Sequence, residues 1–331
     1  MPSDTEDFRI RLSKKTGYST SAIQAAWPEW WSAAADISPS AQAELRFSVA
    51  RKLGLDPRTL IDDEGPQFMW DDSAKYKNFK GDERERLAIT SFGISVSRML
   101  LSGVPNYVVL QDVDAATLRT SILSSQKFIR FQDLLGLLWG IGIPVIHLQV
   151  HPLAAKHMCA MAVSIDDRYA ILLAKDAKYP AATAFHLAHE IGHILHGHVE
   201  RGSAVIDMAD PVEQATQGDD EENSADRFAL ELLTGDPDFT IEKIGAGRGG
   251  RQLAAQVIKL GDQLRIEPGT LALCYGYVTK EWATVYAAMP FVYQEAAPVW
   301  RATNLTAANQ IEWGHLGDEN SNFIRAVMGG I

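Results

Sequence analysis

Residues 180–198 read PAATAFHLAHEIGHILHGH, and within them His189 to His193 form the pattern HExxH. On a helix with 3.6 residues per turn, positions four apart lie on one face, so the two histidines can converge on one small cation. Zinc is the usual metal for paired neutral imidazoles. Glu190 follows the first histidine, where a carboxylate can take a proton from the attacking water and pass it on. The stretch therefore predicts a metal-binding helix with hydrolytic chemistry.

The residues around the pattern also favour a helix. Pro180 suits the first helical turn, and apolar residues recur beside the histidines with helical spacing. Gly192 inside a helix costs about 1 kcal/mol relative to Ala, so we expect close packing at this position or crowding near the metal. The alternative is a buried amphipathic helix with hydrogen-bonded core histidines. A plain core does not explain why four histidines fall close to one face: His186, His189, His193 and His196.

Three apolar segments upstream of this helix predict β-strands, at residues 144–150, 158–165 and 169–175. The last two are joined by a short polar hairpin loop, Asp166-Asp167-Arg168. The expected fold class is α+β and mostly helical, with a small three-stranded sheet packed against the HExxH helix and with helical N- and C-terminal modules. Further helices are predicted within residues 12–27, 41–55, 83–103 (capped by Asp82), 114–124, 129–140, 219–233, 251–264 and 270–289.

A catalytic zinc site needs a third protein ligand besides the two histidines. The metzincin pattern would require Gly at 196 and His at 199, and His196 and Val199 exclude it. In DDEENSADRFALELL (219–233), Glu222 and Asp226 are four residues apart on a predicted helix. One can bind the metal while the other holds a ligand histidine through its second ring nitrogen. Glu221 is a rival ligand, and an acidic first turn is also favourable for the helix dipole alone.

Together, AHEIGHILHGH and the downstream E-x-x-A-D-x-F-A-x-x-LL resemble the ImmA/IrrE family of zinc metallopeptidases. The similarity covers about residues 128–235. It implies a Zn²⁺ site with His189, His193 and Glu222 as ligands and Glu190 as the base. Asp226 stands where the family commonly has Asn and would support a ligand. A group facing the developing oxyanion is also expected, with His186 or a tyrosine as candidates. The resemblance further implies a regulatory protein as substrate, often a helix–turn–helix repressor, in stress response, mobile-element control or toxin–antitoxin pairs.

Composition limits the remaining classes of function. The chain has 331 residues, 46% of them hydrophobic and 22% charged, as in ordinary globular proteins. A net charge of −11 argues against a nucleic-acid surface spread over the whole chain. Two cysteines in apolar surroundings indicate free thiols in a reducing compartment. The N-terminus has no apolar export segment, and the longest apolar run, Leu134–Ile146, is too short to span a bilayer. We therefore expect a cytoplasmic protein with no membrane partner.

The sequence predicts three segments. Residues 1–81 form a helical module plus a linker at 62–81, residues 82–235 the metallopeptidase domain, and residues 236–331 a helical module. The first module is locally basic and distantly resembles the helix–turn–helix domains of phage-type repressors, so DNA binding through residues 1–65 is an alternative to simple packing, which we favour. The glycines of GxGxxG at 245–250 precede a helix but no βαβ unit, which disfavours a dinucleotide site.

These observations predict a cytoplasmic zinc endopeptidase that cleaves one regulatory protein, either a helix–turn–helix repressor or an antitoxin-like partner. One alternative is a DNA-binding transcription regulator in which the metal site is sensory or vestigial. The other is the toxin component of a toxin–antitoxin pair, which has the same chemistry and differs in its target.

Overall fold

The computed structural model describes residues 4–331 except 33, 63–64, 71–73, 78, 80, 110–112, 156–157, 209–219, 242–248 and 297. In these residues the strands are β1 (Ala74–Lys77), β2 (Val145–His147), β3 (Ala160–Ile165), β4 (Arg168–Leu173) and β5 (Ala204–Asp207). The helices are α1 (Asp4–Thr16), α2 (Thr20–Ala26), α3 (Pro39–Leu53), α4 (Pro57–Ile61), α5 (Glu83–Ser102), α6 (Ala115–Leu123), α7 (Phe131–Gly140), α8 (Pro180–Leu195), α9 (Asp220–Thr234), α10 (Gly250–Leu264), α11 (Pro268–Thr279), α12 (Trp282–Val292), α13 (Val299–Gln310) and α14 (Gly317–Val327). The mostly helical α+β fold predicted from the sequence is confirmed.

The sheet has the strand order β1-β5-β3-β4-β2. The central strands β5, β3 and β4 are antiparallel, while β1 and β2 run parallel to their neighbours β5 and β4. The expected number of three strands was therefore wrong. β1 (AKYK) lies in the segment interpreted as a linker, and β5 (AVID) lies between the HExxH helix and the helix predicted at 219–233, where no strand was predicted. Both strands have four residues, too few for a recognisable alternation.

Helix α8 carries the HExxH pattern and packs against β3 on one side and α9 on another. Pro180 occupies its first turn, as the sequence predicts. Gly192 explains how closely the two helices approach. A Cβ atom at this position would lie 3.1 Å from the Cα of Ala225 and 3.2 Å from the Cβ of Phe228, both on α9. The close packing expected at Gly192 is confirmed, and it brings the start of α9 beside the histidines.

The buried apolar residues form two clusters. The larger one surrounds the sheet and includes side chains from α1–α3, α5, α7–α9, α13 and α14. The smaller one joins α10, α11 and α12 and includes Ala181 from α8. Residues that precede the predicted boundary at 81/82 thus share a core with residues that follow it. The division into three domains stays a prediction. None of the helices in the described ranges has the length and apolar character needed to cross a bilayer.

The single helix predicted at 270–289 is in fact two helices. α11 ends at Thr279, and Lys280 adopts a left-handed conformation with φ of 61° while its N–H donates to the carbonyl of Gly276. α12 then starts at Trp282, whose ring packs over Gly276. Of the GxGxxG segment, Gly245 and Gly247 lie outside the described residues, and Gly250 begins α10.

Candidate metal centre

Four buried side chains from three elements converge at the C-terminal end of β5. His189 and His193 come from α8, Glu222 from the first turn of α9, and Asp207 from the last position of β5. One ligand atom from each lies within 4.8 Å of the others. Both imidazoles are 0% exposed, and both carboxylates are 4% exposed. The structure thus brings together the three predicted ligands and adds a fourth donor that the sequence did not indicate.

The spacing of these donors suits a small cation. From Nε2 of His189, the distances are 3.0 Å to Nε2 of His193, 3.3 Å to Oδ2 of Asp207 and 3.6 Å to Oε2 of Glu222. Nε2 of His193 lies 3.3 Å from Oε1 of Glu222. A tetrahedral zinc with bonds of about 2.0–2.1 Å requires its ligand atoms to be about 3.3–3.4 Å apart. The cluster of two histidines, one aspartate and one glutamate could therefore hold a metal ion.

Outer partners orient both histidines. The Nδ1 of His189 lies 2.9 Å from Oδ1 of Asp226, and the Nδ1 of His193 lies 2.9 Å from Nδ1 of His198. The Nε2 of His198 in turn lies 3.3 Å from Oγ of Ser224. Burial, and next the neighbouring His193, lowers the pKa of His198 to about 4, so its ring is neutral and its Nδ1 can accept a hydrogen bond from Nδ1–H of His193. In both ligands this arrangement leaves Nε2 directed at the centre, which is the arrangement of metal-binding histidines.

Carboxylates determine the protonation of the centre. Burial alone would lower the pKa of His189, but its contacts with Asp207, Asp226 and Glu222 outweigh that effect and raise the pKa well above the usual value. Burial would raise the pKa of Glu222, but its contacts with His189 and His193 outweigh that effect and lower it. The carboxylates of the pocket therefore strongly stabilise a positive charge placed between them, and a divalent cation supplies such a charge.

Glu190 is fully buried beside the centre, and neither of its carboxylate oxygens has a hydrogen-bond partner among the described residues. Burial, followed by the carboxylate of Asp207, raises the pKa of Glu190 well above its ordinary value. Glu190 is outside the group of four donors. Its position suits a group that exchanges a proton with a bound molecule rather than one that binds the metal.

Glu221, the rival ligand, lies outside the donor group. Its carboxylate is bonded to two lysines of β1, with Oε1 3.1 Å from Nζ of Lys75 and Oε2 3.2 Å from Nζ of Lys77. Lys77 also lies 3.7 Å from Oε1 of Glu222, so β1 supplies positive charge at the edge of the centre. His186, the candidate for contact with the oxyanion, is buried in α8 and is not one of the four donors.

A family model described as Peptidase U49 matches residues 163–261, a range that includes α8, β5 and α9 and hence all four donors. The chain is a peptidase, and therefore a hydrolase. The similarity covers less than a third of the 331 residues. No curated protein and no solved structure matches the chain.

Three residues of the centre were missed by sequence reasoning: Asp207, His198 and Lys77. Asp207 follows an apolar triplet, Ala204–Ile206, which is the one local indication of a strand end at this point. His198 belongs to the HGH string after α8, and its contact with His193 depends on the turn that follows the helix. Lys77 is the last residue of β1 (AKYK), and a strand of four residues is too short to be recognised from its alternation. In each case the side chain reaches the centre through a contact between elements.

The close approach at Gly192 gives a testable prediction. Gly192→Ala adds a methyl group between α8 and Ala225, and we expect it to shift Glu222 and Asp226 relative to the histidines. Affinity for zinc should fall by about 10–100-fold, as when an outer partner of a ligand is lost. The matched control is Gly136→Ala in α7, where a Cβ would meet nothing within 4 Å. The control should gain up to about 1 kcal/mol of stability and keep its zinc affinity. Competition with a chromophoric chelator measures the zinc affinities. Equal affinities in the two variants would contradict the role of close packing at Gly192.

Proposed function

We propose that this peptidase is a zinc-dependent endopeptidase of the gluzincin type, as its resemblance to the ImmA/IrrE family implies, and that it cleaves one regulatory protein. The observation that carries the proposal is the spacing of the donors. The Nε2 atoms of His189 and His193 and the carboxylate of Glu222 lie 3.0–3.6 Å apart within the segment that matches a peptidase family. Those distances and that mixture of nitrogen and oxygen donors suit Zn²⁺.

The residues have distinct roles in this mechanism. When bound, zinc polarises the scissile carbonyl and lowers the pKa of water. Glu190 takes the proton from the attacking water and delivers it to the leaving amine. The raised pKa of Glu190 supports this role, because a carboxyl group that binds a proton more readily can take one from water and later return it to the amine. Asp226 and His198 hold the rings of His189 and His193 in orientation. We keep His186 as a candidate contact for the substrate, although it lies outside the donor group.

The proposed substrate is a folded regulatory protein such as a helix–turn–helix repressor or an antitoxin-like partner. Support comes from the deep burial of the centre, since a general peptidase needs an open cleft that accepts unrelated chains. The acidic first turn of α9 does not offer Glu221 to basic substrates, because its charge is matched by Lys75 and Lys77. We therefore base selectivity on burial. The cytoplasmic location stays a prediction.

The alternative of a DNA-binding regulator is less well supported by the contacts of residues 1–65. Many basic side chains of this segment are engaged by the protein itself. Arg9 stacks on Trp27, Arg46 lies over Phe8, Arg51 bonds Asn320, Lys52 is buried against Glu319, and Arg58 pairs with Asp56. Cations held in this way are poorly available to phosphates. Salt-sensitive, sequence-selective binding of duplex DNA by the full chain would favour the regulator. A toxin role shares the proposed chemistry and differs only in the protein that is cleaved.

The test of the proposed function uses a whole-cell extract. Purified full-length protein loaded with zinc is incubated with the extract, and new protein termini are identified by mass spectrometry. We expect new termini in one or a few proteins, and none when the zinc is removed with a chelator. Cleavage of many unrelated proteins would contradict the regulatory proposal and indicate a general peptidase. New termini that persist after zinc removal would contradict the zinc mechanism.

A further inference from the structure

Asp207 is an unusual neighbour for a catalytic metal. Its Oδ2 lies 3.3 Å from Nε2 of His189, while its Oδ1 is buried and has no hydrogen-bond partner among the described residues. Its side chain is 6% exposed. Burying a carboxylate with one oxygen unpartnered is costly unless a cation or a further donor compensates it. The position of Asp207 among three other ligand atoms indicates that the compensating group is the metal itself.

The geometry around His189 supports this interpretation. Its Nε2 has three neighbouring donor atoms, from His193, Asp207 and Glu222, at 3.0, 3.3 and 3.6 Å. These separations are close to the edges of one zinc tetrahedron, about 3.3–3.4 Å for bonds of about 2.0–2.1 Å. A catalytic zinc has three protein ligands and an open position for water, whereas four protein ligands are typical of closed sites. Asp207 lies close enough to the other three donors to take the fourth position.

The centre is also shielded from solvent. His189, Glu190 and His193 are 0% exposed, so a peptide bond cannot reach the base or the histidines in this conformation. The main chain of Asp207 is fixed, because its carbonyl accepts a hydrogen bond of 2.7 Å from the amide of Cys159 and the residue pairs in register with Lys77. The carboxylate is therefore the part of Asp207 that can move. Partners in register point to the same face of a sheet, so Lys77, whose ammonium already pairs with Glu221 and Glu222, lies on the same face as the Asp207 carboxylate.

We propose that Asp207 is a fourth metal ligand that keeps the resting enzyme latent. This inference rests on the proposed function, because it concerns the zinc centre of the same peptidase. In the resting state His189, His193, Glu222 and Asp207 fill the coordination shell, and water has no position at the metal. Activity requires the Asp207 carboxylate to swing away, which opens one position for water and exposes Glu190 to it. The peptidase is thus controlled by a residue on β5 that takes no part in hydrolysis.

The test is spectroscopic and does not depend on cleavage. Zinc is replaced by cobalt(II), whose visible absorption reports the number and type of ligands, and azide is added as a small anion that needs a free position. The wild-type spectrum should change little with azide, because four protein ligands occupy the metal. Asp207→Ala opens the fourth position. Its spectrum without azide should therefore differ from that of the wild type, and it should shift when azide is added. Affinity for cobalt should fall by more than the roughly 10–100-fold typical of outer partners.

Glu221→Gln is the matched control, because it also removes a carboxylate next to Glu222 but leaves the four donors intact. Its spectrum should resemble that of the wild type with and without azide, and circular dichroism verifies that each variant is folded. Two results would show that Asp207 does not fill the fourth position: an azide response of the wild-type cobalt protein as strong as that of Asp207→Ala, or no response in either protein. The inference would then fail, and the proposed zinc peptidase function would be unaffected. If the wild-type protein takes up neither zinc nor cobalt, the proposed function fails and the inference fails with it.

Discussion

Glu190→Gln should lower the rate of peptide hydrolysis by about 10²–10⁴-fold, the usual contribution of a general base. Gln has nearly the same shape as Glu but cannot take the proton from the attacking water. Zinc content should not change, because Glu190 lies outside the four donors. The melting temperature should stay the same or rise slightly, since the substitution replaces a buried ionisable group beside Asp207 with a neutral group of the same shape. Single-turnover cleavage of a substrate identified in the extract measures the loss.

The control for this variant is Glu200→Gln, which removes an exposed carboxylate paired with Lys75 at the surface near the centre. This control should cleave at the wild-type rate. If Glu190→Gln cleaves as fast as the control, Glu190 is not the base, and another group must take the proton. If Glu190→Gln instead loses zinc, the residue supports the metal site and the proposed division between ligands and base is wrong.

The sequence predicted helices of this fold better than strands. α5 begins at Glu83 and is capped by Asp82 as predicted, with the Asp82 side chain accepting a hydrogen bond from the amide of Glu85. α8 and α9 also follow from local signals, because their apolar residues recur every three or four positions. β1 and β5 have four residues each, and they are stable as strands because of pairing between segments about 130 residues apart, Ala74 with Ala204. Such pairing leaves almost no trace in local sequence.

The same distinction holds for the candidate site. His189, His193 and Asp226 could be chosen from the sequence, and Glu222 with Glu221 as its rival, because spacings of four residues place pairs of side chains on one helical face. The choice between Glu221 and Glu222 could not be made from spacing alone, because either residue fits the first turn of α9. It depends on β1, whose lysines pair with Glu221. Asp207 depends on the position of β5 between β1 and β3, which is a property of the sheet.

Glu222→Ala should lower zinc affinity by at least about 100-fold, since it removes a ligand and not only an outer partner. At zinc concentrations well above the wild-type Kd, a 100-fold loss removes about 2.7 kcal/mol of the stabilisation that the metal gives to the folded state. The variant should therefore contain much less zinc after gel filtration and melt at a lower temperature than the wild type in the same zinc buffer. Glu222→Gln, which keeps the shape of the side chain, should show the same loss without a cavity in the buried first turn of α9.

Glu221→Ala is the comparison that decides the assignment, because the two carboxylates are adjacent in sequence and both contact Lys77. Glu221 bonds two lysines at the edge of the centre, so its loss should leave zinc content close to that of the wild type. Full zinc in Glu222→Ala together with zinc loss in Glu221→Ala would mean that the ligand was assigned one residue too far along the helix. If Asp207 is a ligand, Glu222→Ala still offers two histidines and one carboxylate and should retain weak binding. The double variant Asp207→Ala/Glu222→Ala should then lose that remaining affinity, because two histidines alone do not make a stable zinc site.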